Sequence, residues 1–147
     1  MALIDLQIFQ LNPETNTVTS VLFDSNLKIT IGSANLVQRV SKSILTHLGS
    51  NVFNPDYGTN FLSVGSTFTK NDYDNFKFFL NILFKDFKEV LKAEQETLVK
   101  QGVIFEDTEL LEDMFLSALS FDPRTTSWLI NITIINKTGE QFNLRIT

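Results

Sequence analysis

The sequence predicts an α+β fold: a small mixed sheet of N- and C-terminal β-hairpins packed on two helices, one of them long. Three observations carry that expectation. Apolar and polar residues alternate near both ends of the chain, the period-2 pattern of half-buried strands. Two central stretches space apolar residues three and four apart, the helical period. No linker, repeat or low-complexity tract divides residues 1–147, so the chain reads as a single domain.

The first 31 residues read as strands joined by a turn. Ile4, Leu6 and Ile8 alternate with Asp5 and Gln7. Asn12-Pro13-Glu14-Thr15-Asn16 has the residue types of a turn, because proline fixes φ and asparagine bonds its own backbone. Val18, Val21, Leu22 and Phe23 resume an extended segment, and Leu27, Ile29 and Ile31 give a third short strand. Ser33 is a candidate N-cap for a helix from about Ala34 to His47, with Leu36, Val37, Val40, Ile44, Leu45 and Leu48 on one face and Gly49 as its stop.

Residues 50–70 are rich in turn formers but also carry Val52, Phe53, Tyr57, Phe61, Leu62 and Val64, so an ordered loop packed on the body is expected. A long helix follows from about Asp72 to Gln101, capped by Asn71 or Thr69 and stopped at Gly102. Its roughly 30 residues would span about 45 Å. Tyr73, Phe76, Leu80, Leu83, Phe84, Phe87, Val90, Leu91 and Leu98 form its apolar stripe, which Phe78, Phe79 and Ile82 broaden. The polar stretch from Lys92 to Gln101 is expected to project from the body.

Residues 110–121 fit two patterns. Leu110, Leu111, Met114, Phe115, Ala118 and Leu119 suit a helix; Leu111, Phe115, Leu119 and Phe121 suit one face of a strand. The turn that follows, Phe121-Asp122-Pro123-Arg124-Thr125-Thr126, is built like the one at 11–16 and tilts the reading toward strand-turn-strand. The ending is clearer. Trp128, Ile130, Ile132 and Ile134 alternate with Leu129, Asn131 and Thr133. Asn136-Lys137-Thr138-Gly139 is a hairpin turn, and Phe142, Leu144 and Ile146 close a second strand. These strands, about 127–136 and 140–147, end at the last residue given, so at least one is expected to be a sheet edge.

Composition removes several functions. The absence of cysteine excludes thiolate metal sites and disulfides, and the lone histidine, His47, excludes any site needing two. A net charge of −5 without a basic run argues against nucleic acid. No apolar stretch is long enough for a membrane span, and the N-terminal residues lack the pattern of a signal peptide. Isolated glycines form no phosphate-binding loop, and no nucleophile elbow supports a triad. His47 reads as a helix-end residue favoured by the dipole. Glu106, Asp107, Glu109, Glu112 and Asp113 could supply paired catalytic carboxylates, but such a run more commonly forms a solvated face. The expectation is a protein that is not an enzyme, with no cofactor, metal, small-molecule substrate, nucleic acid or membrane partner. Fourteen phenylalanines against two tyrosines and one tryptophan are an excess for so short a chain, and some are expected to face a partner.

Residues 32–64 carry an amphipathic helix through Gln38 and Ile44-Leu45-Thr46, a turn at Gly49, and the loop Val52-Phe53-Asn54-Pro55-Asp56-Tyr57-Gly58. This segment resembles the phage baseplate wedge family, the gene-product-twenty-five-like proteins, also labelled tail lysozyme-like. The resemblance implies a structural subunit of a contractile tail or a related secretion baseplate. It would be located in the virion after assembly in the host cytoplasm, where it contacts other wedge subunits and sheath. It implies a C-terminal β-hairpin that initiates sheath assembly by accepting a strand. The implied contact residues are Phe53, Asn54, Pro55, Asp56, Tyr57 and Gly58, with Asp122, Arg124, Trp128 and Phe142. The older label implies a rival, a peptidoglycan-degrading enzyme. Family members carry a Glu-Pro-Arg motif between the long helix and the final strands. Asp122-Pro123-Arg124 matches it if 110–121 is helical; if 110–121 is a strand, the likeness is confined to a turn and the family arginine is absent. The long helix and the N-terminal hairpin both depart from the usual family layout.

Overall fold

A computed structural model describes residues 32–147 throughout, and before them the backbone of β1 (Asp5–Leu6), β2 (Phe9–Asn12), β3 (Thr17–Val21) and β4 (Ile29–Thr30). The later elements are α1 (Ser33–Leu45), α2 (Phe61–Gly65), α3 (Tyr73–Lys100), a single 3-10 turn (Asp107–Glu109), β5 (Leu111–Asp122), β6 (Ser127–Asn136) and β7 (Gln141–Ile146). The fold is α+β, as the sequence predicts. The turn expected at 13–16 and the residues Ile4, Leu22, Phe23 and Leu27 lie outside the described set.

The sheet order is β2-β3-β7-β6-β5, with β1 and β4 paired separately. β2–β3 and β5–β6–β7 are antiparallel; a short parallel pairing of Thr17 with Asn143 and Val18 with Leu144 joins the two hairpins and makes the sheet mixed. The edge expectation is therefore corrected. β6 lies between β5 and β7, and β7 lies between β6 and β3, so the long described edge is β5.

Residues 110–121 form a strand, and the reason for their helical look is in the ladder. β5 runs against β6 with register shifts between Leu111 and Asp113 and between Leu116 and Ala118. Each bulge adds one residue and so inverts the alternation beyond it. Buried Leu111, Met114 and Leu119 thereby reach one face at intervals of three and five, which a strict period of two would forbid.

That face meets α3, whose Phe76, Leu80, Phe84 and Leu91 are buried with Ile130, Ile132, Ile134, Phe142 and Leu144 of β6 and β7. Leu36, Val37, Val40 and Ile44 close the core from α1. At the start of α3, Phe76 stacks on Phe68 at 4.8 Å and meets Trp128 edge-on at 4.9 Å.

Several boundaries shift. Gly32, not Ser33, precedes α1; Ser33 is its first residue, and its hydroxyl donates to Glu140. α1 ends at Leu45, before His47 and Gly49. Asp72 takes the cap position of α3 and turns its carboxylate back to the Thr69 N–H and hydroxyl, both at 2.8 Å. Gly102 does end α3: its N–H reaches Val99 O while Val103 N–H reaches Leu98 O, a Schellman closure. The last turns do not project. Gln95 is buried, donates to Glu109 O and accepts from the N–H of Leu111 at the start of β5, and Arg39 of α1 pairs with Glu94 at 3.6 Å.

Candidate docking surface

Residues 46–60 leave the end of α1 and return beside it. Thr59 N–H donates to Thr46 O at 3.0 Å, and Leu48 N–H donates to Thr59 O at 3.1 Å. The buried Thr59 hydroxyl donates to Ile44 O at 2.8 Å, so the returning strand is fixed to the exposed carbonyls of the helix end. Ser43 donates to the Tyr57 hydroxyl at 3.1 Å. At the tip, Asn51 Oδ1 accepts from Phe53 N–H at 3.0 Å and Asn54 N–H at 3.3 Å, and Tyr57 N–H donates to Asn54 O at 3.1 Å.

This bonding holds two apolar side chains in solvent. Phe53 is 99% exposed and Val52 89%. The expectation that the loop packs on the body holds for Tyr57, Phe61 and Val64; it fails at Leu62, 47% exposed, and at the tip, where no described residue covers Val52 or Phe53. Asn54, Pro55 and Asp56 are exposed beside them, and Gly58 is the close-packed pivot.

The other predicted contact residues are elsewhere. Asp122 and Arg124 form the β5–β6 turn, where Asp122 accepts from Arg124 N–H at 2.8 Å. That turn lies within the final strands, so Arg124 does not occupy the position of the family motif. Trp128 is a packing residue: it meets Phe76 and Phe121 edge-on and donates its indole N–H to Phe68 O. Phe142, 2% exposed, belongs to the core and presents no surface to a partner.

The acidic run does structural work. Glu106 and Glu109 form a reciprocal capping box around the 3-10 turn, and buried Glu109 also accepts from Asn35 at 2.9 Å. Asp113 pairs with Lys88 at 2.9 Å. No cluster of three His, Asp or Glu suited to a metal occurs among the described residues. His47 is exposed, with Nδ1 2.8 Å from Leu48 O.

Chiefly the Lys88 hydrogen bond holds the Asp113 carboxyl below its ordinary value of 3.8; burial opposes it, and Met114 N–H adds to it. A depressed folded pKa contributes stability above the unfolded pKa, and that stability is lost as pH falls through the folded one. Asp113→Asn should therefore flatten the fall in stability below about pH 4. The part-exposed pair makes this less than about 1 kcal/mol. Urea midpoints of both proteins between acid and neutral pH measure it.

Sequence reasoning missed a groove of about 350 Å³ between this loop and α3. Phe79, Ile82, Leu83, Phe87 and Val90 line it from α3, and Leu48 and Asp56 from the loop. The signal was present in the width of the α3 stripe, which exceeds one packing layer.

No family model matches the chain, and neither the curated proteins nor the solved structures include a match.

Proposed function

We propose that the chain is a structural subunit of a contractile injection apparatus, a baseplate wedge protein of the gene-product-twenty-five-like kind, and not an enzyme. One observation carries the reading. The segment that bears the family likeness, residues 32–64, contains the loop that is pinned to α1 at Thr46, Leu48 and Thr59 while Val52 and Phe53 stand in solvent. A rigid loop presenting an aromatic side chain is the form of an interface anchor, since little conformational freedom remains to be lost on binding. Other wedge subunits are the proposed partners at this loop. Sheath is the proposed partner at the C-terminal sheet, where the hairpin β6–β7 is flanked by β5, whose outer backbone edge pairs with no strand among the described residues. The absence of an arginine at the family position counts against the reading.

The alternative, a peptidoglycan-degrading tail protein, needs two acids facing each other across a cleft. The engagement of Glu109 by Asn35 and Glu106, and of Asp113 by Lys88, favours the structural reading.

The test is Phe53→Asp in the full chain, co-expressed with candidate wedge and sheath proteins from the same genome. Capture of the wedge partner should weaken by about 30-fold, the effect of a 2 kcal/mol anchor. The melting temperature should stay unchanged, because no described residue covers the ring. Undiminished capture overturns the proposal, and release of fragments from purified peptidoglycan by the wild-type protein would favour the alternative.

A further inference from the structure

The geometry points to the groove between α3 and residues 48–60 as a docking site for a basic amphipathic helix of a partner protein. This deepens the docking role proposed above by naming the partner's chemistry, and it rests on that reading only for the partner's biological identity.

The groove floor is one face of α3. Phe79, Ile82, Leu83, Phe87 and Val90 recur at helical spacing over three turns, about 16 Å of helix. The face lies beside the stripe that packs on the sheet. Phe79, Leu83 and Phe87 are partly buried against the core, while Ile82, 45% exposed, and Val90, 65% exposed, remain open. One turn earlier, Phe78 extends the apolar surface at 68% exposed. Leu48 and the loop backbone form the opposite wall. A trough of this length, ridged at intervals of three and four residues, matches the side-chain rows of a second helix. It does not match a strand, because the floor supplies no free backbone edge.

The charge of the occupant follows from the rim. The charged residues lining the groove are Asp56 on the loop and Asp86 in the middle of the helical face, both acids. The nearby lysines serve the other side of α3: Lys88 pairs with Asp113, and Lys85 lines the crevice beside β5. No cation is among the described residues that line the groove beside the two carboxylates. A partner helix with Leu or Phe anchors and flanking Lys or Arg complements both the floor and the rim, whereas an acidic helix meets repulsion.

The test uses the full-length protein and a labelled synthetic helix of about 15 residues. The peptide carries leucines at intervals of three and four and lysines on either side of that stripe, and binding is read by fluorescence anisotropy. Ile82→Glu and Val90→Glu should each weaken binding by about 10-fold or more. Asp86→Lys should weaken it by about 5-fold and remove much of its salt dependence. Phe115→Glu, which alters an exposed apolar residue on β5 instead, should leave binding unchanged. A peptide with glutamates in place of the lysines should bind about 5-fold more weakly or worse. Equal binding of both peptides, insensitivity to Ile82→Glu and Val90→Glu, or equal weakening by Phe115→Glu overturns the proposal. Sedimentation of the free protein as a dimer that Ile82→Glu converts to monomer also overturns it, because a second copy would then be the occupant. None of these readouts depends on tail assembly, so failure here and failure of the wedge reading are separately visible.

Discussion

Gly58→Ala should lower stability by about 3 kcal/mol or more, while Gly49→Ala, nine residues earlier in the same loop region, should cost only about 1 kcal/mol. Both glycines have left-handed backbones, φ +106° at Gly58 and +81° at Gly49. They differ in their surroundings. A Cβ at Gly49 meets nothing within 4 Å, whereas at Gly58 it would lie 2.5 Å from Thr46 O and 3.1 Å from the His47 carbonyl carbon. Those atoms are backbone, and Thr46 O is the acceptor that holds Thr59 N–H. Alanine at 58 must push the returning chain off the helix end, lengthening the contact that fixes the loop. Melting temperatures of the two variants measure the contrast: a drop of about 10 °C for Gly58→Ala against about 3 °C for Gly49→Ala. Similar drops would show that conformational preference alone matters. Because the loop carries Val52 and Phe53, partner capture should fall with Gly58→Ala before the sheet unfolds.

Gln95→Leu should be the more damaging change to the body of the protein. Leucine is close to glutamine in size, so packing is nearly conserved. Yet the amide of Gln95 donates to Glu109 O at 3.0 Å and accepts from Leu111 N–H at 3.0 Å. Leucine strands two backbone groups in a buried site, at about 1–3 kcal/mol each, for a loss of about 2–5 kcal/mol. Denaturant midpoints check this, with the exposed neighbour Glu96→Leu as the control. A loss of less than about 1 kcal/mol would mean that water enters and replaces the amide. Gln95→Glu keeps the acceptor and loses the donor at neutral pH. Burial raises the carboxyl pKa in the folded state, so this variant should regain stability relative to wild type as pH falls and an O–H donor returns.

Gln95 also shows where the sequence misleads. Its neighbours Glu94 and Glu96 make the last turns of α3 look like a solvated projection. The glutamine at 95 serves the start of β5, sixteen residues away, and no local pattern reports a bond across that distance. β5 misleads in the opposite sense. Its two bulges give buried Leu111, Met114 and Leu119 a spacing that local periodicity shares with a helix. The long partner β6 decides for the strand. The candidate docking loop was legible as a segment, from Asn54, Pro55 and Gly58, but the contrast between its buried and exposed hydrophobics was not. Phe53 and Phe61 look alike in sequence; one stands in solvent and the other starts α2 in the core.

The sequence by itself determined the α+β class, α3 with its Gly102 stop, and the β6–β7 hairpin with its turn at Asn136–Gly139. Each of these rests on short-range physics: hydrophobic period, the left-handed backbone that glycine permits, and turn chemistry. It also determined an excess of phenylalanine beyond what one packing layer absorbs. Only the tertiary structure decided which strand is the edge, which apolar residues stay uncovered, and that Arg124 lies in a hairpin turn. Those outcomes depend on pairings between distant segments, β3 with β7 and β5 with β6, and on α3 burying one of its two apolar faces. A chain with a stripe wider than its sheet can cover must leave part of it exposed, and packing against β5 selects which part.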